Sequence, residues 1–169
     1  MSSEGRVWLF GDDVNTDLII PGRYLDRYDA KHLAAHAMEG VNRDFAKQVR
    51  KGDLLVAGRN FGCGSSREQA VIALKEAGVS VVVARSFARI FYRNAINLGL
   101  PVVISPDAVG MFSDGDRATV DTSGGVMTKA GGGQKAKLEP IPARAREILD
   151  SGGLVPHVRA RLKAGNGPS

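Results

Sequence analysis

Three short apolar runs, Leu54–Ala57, Val79–Ala84 and Leu100–Ile104, alternate with two stretches of helical periodicity, and this alternation restricts the fold more than any other feature. The Val79–Ala84 run is almost unbroken, so the strand it predicts is buried on both faces, as in a parallel sheet. Ser66–Ala77 places Ala70, Ile72, Ala73, Leu74 and Ala77 at helical spacing and stops at Gly78. Phe87–Leu98 is helical again and stops at Gly99. Parallel neighbours need crossover connections, so this order predicts a parallel α/β core.

The flanks are read in the same way. Val7–Phe10 predicts a first strand, Gly11–Asp17 a polar turn, and Leu18–Ile20 a short apolar segment ended by Pro21-Gly22. Lys31–Met38 has Leu33, Ala34, Ala37 and Met38 on one helical face, and Arg43–Val49 predicts a short helix. Beyond Pro106 the pattern turns to hairpin material over Met111–Thr122 and Gly125–Thr128, with turn signals at Ser113–Gly115, Ser123–Gly125 and Gly131–Gln134. Helices are expected over Pro142–Ser151 and Leu154–Leu162. The whole reads as one mixed α/β domain over residues 1–163, followed by a disordered tail over 164–169.

Composition excludes several classes. With 43% hydrophobic and 24% charged residues the chain is an ordinary globular one, and no apolar run approaches the length of a membrane span. The first residues lack the apolar stretch of a signal peptide, so a cytoplasmic location is expected. The net charge of +5 is scattered and has no aromatic interleaving. That fits an anionic small substrate or an acidic partner subunit better than nucleic acid. Cys63 is the only cysteine, which leaves no internal disulfide and no cysteine-ligated cluster on this chain. It is either a reactive thiol near a helix start or a small buried residue. His32 and His36, spaced i, i+4, lack a third metal ligand nearby and are expected to face solvent.

The chemistry concentrates in Arg59-Asn-Phe-Gly-Cys-Gly-Ser-Ser-Arg-Glu68, at a predicted strand-to-helix junction. Two hydroxyls and a guanidinium stand there beside a helix N-terminus, which suits a carboxylate or a serine alkoxide. The same residues also read as a helix cap, with Ser65 or Ser66 at the N-cap and Glu68 in the first turn.

Three long motifs then carry a family resemblance: Gly11–Leu25, Gly58–Glu68 and Arg85–Leu100, with Gly152–Arg159 in support. The chain resembles the small subunits of the aconitase superfamily, above all those of 3-isopropylmalate dehydratase and homoaconitase. The resemblance implies a single swivelling β/β/α domain like the fourth domain of aconitase. It implies a large partner subunit carrying a [4Fe–4S] cluster, in a heterodimer or heterotetramer, with no cofactor or metal bound by this chain. The implied activity is reversible dehydration of a hydroxy-dicarboxylic acid, a hydro-lyase reaction lost by the isolated small subunit. 3-Isopropylmalate of leucine biosynthesis is the leading substrate. Homoaconitate of the lysine pathway and dimethylmalate are the alternatives, and a non-catalytic binding or regulatory domain is the reading from another class.

The resemblance also assigns roles. Ser65 becomes the base, Ser66 and Arg67 its supports, with Arg67 also a fork for a substrate carboxylate. Asp17 orients an arginine or histidine across the subunit interface; the alternative is a turn-forming or capping aspartate. Tyr24, Leu25, Asp26 and Arg27 fall in the segment that reads the substrate's distinguishing substituent. An apolar residue after Tyr-Leu fits an isopropyl group and an arginine fits an extra carboxylate, whereas this chain has Asp26 followed by Arg27. Gln69 stands where isopropylmalate enzymes usually carry histidine and some homoaconitase-like relatives carry glutamine. Arg89 and Arg93, with Asn94 adjacent, are read either as lining the partner interface or as solvated helix charge.

Overall fold

The strands in chain order are β1 (Ser2–Leu9), β2 (Leu54–Ala57), β3 (Val81–Ala84), β4 (Val102–Ile104), β5 (Arg117–Asp121), β6 (Val126–Lys129) and β7 (Lys135–Lys137). They form one sheet in the order β4-β3-β2-β1-β5-β6-β7 in the computed structural model, which describes residues 1–165. The helices are α1 (Thr16–Ile19), α2 (Ala30–Ala35), α3 (Phe45–Gln48), α4 (Glu68–Ala77), α5 (Arg89–Asn97), α6 (Ala108–Met111), α7 (Ala143–Asp150) and α8 (Leu154–Gly165). Among the described residues no helix is long and apolar enough to cross a membrane.

Strands β1 to β4 are parallel neighbours, while β5, β6 and β7 add on antiparallel. β1 serves both halves: Val7–Leu9 pair with Leu54–Val56, and Ser2–Arg6 pair with Arg117–Asp121. The unbroken apolar runs have a simple cause. Leu55, Ala57, Val82 and Ala84 enter one core with Leu33 of α2, Leu74 of α4 and Phe91 of α5. Leu54, Val56, Val81 and Val83 enter the other, with Ala118, Val120, Met127 and Ala136 of β5–β7. The strand period of 2 delivers alternate residues to opposite faces, and here both faces are dry.

The crossover helices end where glycine permits it. Gly78 closes α4 at φ 119°, and a Cβ there would stand 2.9 Å from the Lys51 nitrogen. Asp53 pins the start of β2. Its buried carboxylate accepts the Trp8 indole N–H at 3.0 Å and the backbone N–H groups of Arg50 and Arg6 at 2.9 and 3.2 Å. A carboxylate with three donors is satisfied, whereas its removal would strand all three.

Several expectations change. β1 begins at Ser2, five residues before the expected Val7, because the polar Ser2–Arg6 stretch is recruited by pairing with β5. Leu18–Ile20 belongs largely to the short helix α1, and α6 occupies the lead-in to the expected hairpin. β7 escaped notice because only Ala136 of its residues points inward. Ala34 is half-buried and not a core residue. Ala164 and Gly165, expected in the tail, belong to α8; residues 166–169 lie outside the described residues.

Replacing Asp53 by alanine is expected to cost about 3 kcal/mol in equilibrium urea unfolding, and Asp53→Asn less, because the amide still accepts. Equal stability of Asp53→Ala and the parent chain would contradict the role given to this carboxylate.

Candidate active site

Parallel strands β1 and β2 send their following loops out at the same edge of the sheet, where ligand crevices of open α/β sheets form. The two loops are laced together by backbone hydrogen bonds. Gly58 N–H donates to the Gly11 carbonyl at 3.0 Å, Asp13 N–H to Arg59 at 2.8 Å, Gly62 N–H to Val14 at 2.8 Å and Thr16 N–H to Cys63 at 2.8 Å. The Thr16 hydroxyl, buried, donates to the Ser65 carbonyl at 3.0 Å. A third segment joins through Phe61, whose N–H donates to the Ser86 carbonyl at 3.1 Å and whose carbonyl accepts the Ala88 N–H at 2.9 Å. Gly62, at φ 82°, permits this closeness, since a Cβ there would strike the Phe91 ring.

The result is a cleft of about 580 Å³ whose lining includes Ser65, Ser66, Arg67, Arg89, Arg93 and Asn94. Among the described residues no Asp or Glu lines it, so three guanidiniums and the start of α4 give it a positive potential. Ser65 and Ser66 are exposed, and neither side-chain hydroxyl has a hydrogen-bond partner among the described residues. The capping alternative fails: α4 begins at Glu68, its N-cap is Arg67, and no side chain caps it. The hydroxyls are left free for a ligand.

Arg67 is held from behind. Its Nη1 donates to Asp17 Oδ1 and to the Ile20 carbonyl, both at 3.2 Å. Asp17 Oδ1 also accepts the Gly22 N–H at 3.0 Å. These bonds, the Gly22 N–H first and then Arg67, hold the Asp17 carboxyl below its ordinary value of 3.8. Asn15, not Asp17, caps α1, its side chain accepting the Leu18 N–H at 2.9 Å. Within this chain the arginine that Asp17 engages is Arg67.

The segment expected to read substrate lies outside this cleft's lining. Tyr24 and Leu25 are half-buried and pack against the helical core. Asp26 and Arg27 do not pair with each other: Asp26 lies 3.9 Å from His32 Nε2, and Arg27 lies 3.8 Å from Asp29 with 64% of its side chain exposed. His32 and His36 do not face solvent as expected; they are drawn under Tyr24, with His36 stacked on its ring. Cys63 is a free, half-buried thiol outside the cleft lining, and Gln69 is half-buried. Thr16 was missed by sequence reasoning, although it adjoins Asp17 in the Thr-Asp pair. So was Tyr28, whose hydroxyl donates to Glu68 Oε2 at 3.1 Å. Long-range partners of this kind leave no periodic trace.

Comparison with known proteins places the chain in a family. Residues 10–107 match the family described as the aconitase C-terminal domain. The methanogen homoaconitase small subunit of Methanothermobacter thermautotrophicus is 53% identical over 162 residues, 95% of this chain and 93% of that protein. The 3-isopropylmalate dehydratase small subunit 1 of Methanopyrus kandleri is 54% identical over 151 residues, 89% of either chain. The crystal structure of 3-isopropylmalate dehydratase (leuD) from Methanocaldococcus jannaschii superposes with a TM-score of 0.93 at 47% identity, covering 99% of this chain and all of that one. With residues 10–107, more than half of the chain, matched to the family and its length shared with such relatives, the chain belongs to the aconitase C-terminal domain family.

Proposed function

We propose that this chain is the small subunit of a two-part hydro-lyase that isomerises 2- and 3-isopropylmalate by dehydration and rehydration, a step of leucine biosynthesis carried out in the cytoplasm. The observation that carries this reading is the pair of serine hydroxyls beside an oriented guanidinium, in a cleft where, among the described residues, the hydroxyls have no partner and no carboxylate side chain lines the wall. Such a site is built to take a proton from carbon next to a carboxylate and to hold the anion that results.

In this reading Ser65 Oγ is the base. A serine hydroxyl is a very weak base, so its alkoxide requires strong stabilisation from donors and positive charge. In this reading Ser66 and Arg67, which line the same cleft, and the N-terminal N–H groups of α4 are the groups that supply it. Arg67 spends Nη1 on Asp17 and Ile20, while Nη2 has no hydrogen-bond partner among the described residues and is available to a substrate carboxylate. Asp17 keeps the guanidinium plane in place, which limits the orientational freedom lost on binding.

The reaction also needs a group to accept the departing hydroxyl. Among the described residues no three His, Cys, Asp or Glu side chains converge on a metal position, and one cysteine is too few for an iron–sulfur cluster. On the family resemblance we assign a [4Fe–4S] cluster to a large partner subunit, where it would supply a Lewis acid for the substrate hydroxyl and carboxylate. What this chain contributes is the base, the carboxylate fork and one wall of the cleft.

One observation favours a second substrate. Arg27 keeps 64% of its side chain exposed and, among the described residues, its one ion pair is with Asp29 at 3.8 Å, so its guanidinium is available to the extra carboxylate of homoaconitate. The non-catalytic reading has no use for the Asp17–Arg67 support behind two free hydroxyls.

The first test is anaerobic co-purification with the large subunit, followed by enoate absorbance with isopropylmalate, homoaconitate and dimethylmalate. Turnover of isopropylmalate is expected; preference for homoaconitate would make Arg27 the reader of the substrate. Ser65→Ala should lower kcat by about 10³-fold with little change in KM, the size of a lost general base. Unchanged turnover would remove Ser65 from the chemistry. Asp17→Asn should reduce kcat/KM by about 10²-fold through a misplaced Arg67. Because the folded-state pKa of Asp17 is depressed, its ionised pairing is present above the ordinary carboxylate range and lost as pH falls through the lower value. Rate profiles between about pH 6 and 9 should therefore contain no Asp17 titration.

A further inference from the structure

One carboxylate outside the cleft collects an unusual number of donors. Glu39 follows α2 and keeps 21% of its side chain exposed. Its Oε1 accepts the Tyr24 hydroxyl and Arg23 Nη2, the latter at 2.9 Å, and its Oε2 lies 2.7 Å from His36 Nδ1. The Tyr24 ring lies flat on His36, with centroids 3.6 Å apart and planes 7° apart. The Arg23 guanidinium covers the ring from 4.7 Å. His32 meets both rings edge-on, at 5.9 Å from Tyr24 and 5.2 Å from His36.

Arg23 and Tyr24 open the segment Gly22–Asp29, so Glu39 ties the start of that segment to the end of α2. The other anchors lie at its two ends. Gly22 is bonded to Asp17, Asp29 caps α2 through the Lys31 and His32 N–H groups at 2.9 and 3.4 Å, and Tyr28 is bonded to Glu68. Asp26 and Arg27 are left as the exposed tip between fixed points. A tip mounted this way meets a substrate without first being ordered.

We infer that Glu39 is a positioning residue that, through Tyr24, fixes the substrate-reading segment and so sets which hydroxy acid the enzyme accepts. The inference rests on the reading that Tyr24–Arg27 faces the substrate's variable substituent. Glu39 is suited to the task because it stays charged. The Tyr24 hydroxyl above all, then His36 and Arg23, lower its carboxyl from 4.5 to about 2. A depressed carboxyl keeps its contribution above the ordinary value and loses it only as pH falls toward that lower one, so the anchor holds throughout the neutral range.

The test uses Glu39→Gln and Tyr24→Phe in the reconstituted two-subunit enzyme. Tyr24→Phe keeps the stacking on His36 and guards against a folding defect in the other variant. Each should raise KM for the preferred acid about tenfold while kcat changes less than about twofold, and should shrink the preference over the competing acid by a similar factor. A fall in kcat with KM and preference intact would overturn the inference. Hydrogen exchange over residues 22–29 gives a second readout in the isolated chain. Faster exchange there in Glu39→Gln, with the β2–β3 core unchanged, is expected, and unchanged exchange would overturn the anchor. Should the unmodified enzyme convert none of the acids, the assignment of substrate fails, and the exchange measurement still decides whether Glu39 holds the segment.

Discussion

The backbone hydrogen bonds between residues 11–16 and 58–63 are the constraint on which the rest of the site depends. They extend the β1–β2 pairing beyond the sheet, from the Gly58–Gly11 bond to the Thr16–Cys63 bond. A loop that leaves a strand alone is mobile, whereas two loops laced together inherit the rigidity of the strands beneath. Ser65, Ser66 and Arg67 stand at the end of that lacing, and Asp17 stands directly opposite. Gly62 matters for the same reason, because the lacing brings the backbone onto the Phe91 ring with no room for a side chain.

Charge is organised around this frame in two ways. Inside the cleft the guanidiniums of Arg89 and Arg93 are without carboxylate partners among the described residues, which favours an anionic ligand. Outside the cleft lining, carboxylates hold functional groups still: Asp17 holds Arg67, and Glu39 holds Tyr24 and Arg23. The exposed ion pairs contribute little to stability, being screened by solvent and costly in side-chain entropy. Their effect is on geometry, fixing the direction of a guanidinium or the path of a segment.

The elements legible in the sequence were those whose cause is local. Leu54–Ala57 is found as read because all four residues are buried and bounded by turns. Gly78 ends α4 because its left-handed φ is inaccessible to most residues. Ser2–Arg6 and Lys135–Lys137 were not legible, since their extended form comes from pairing with distant strands and not from their own apolar pattern. The histidines misled for a related reason. Their i, i+4 spacing says which helix face they share, but only the fold brings Tyr24 down onto that face.

By itself the sequence determined the parallel core, the glycines that close its helices, and the serine–arginine junction after β2, because apolar periodicity, backbone freedom and family motifs are all written along the chain. The tertiary structure decided that both serine hydroxyls are free of capping, that Asp17 supports its own chain's Arg67, and that Glu39 gathers Arg23, Tyr24 and His36. Each of these is a contact between side chains or backbone brought together by folding, and a hydrogen bond depends on distances of a few ångströms that linear spacing does not encode.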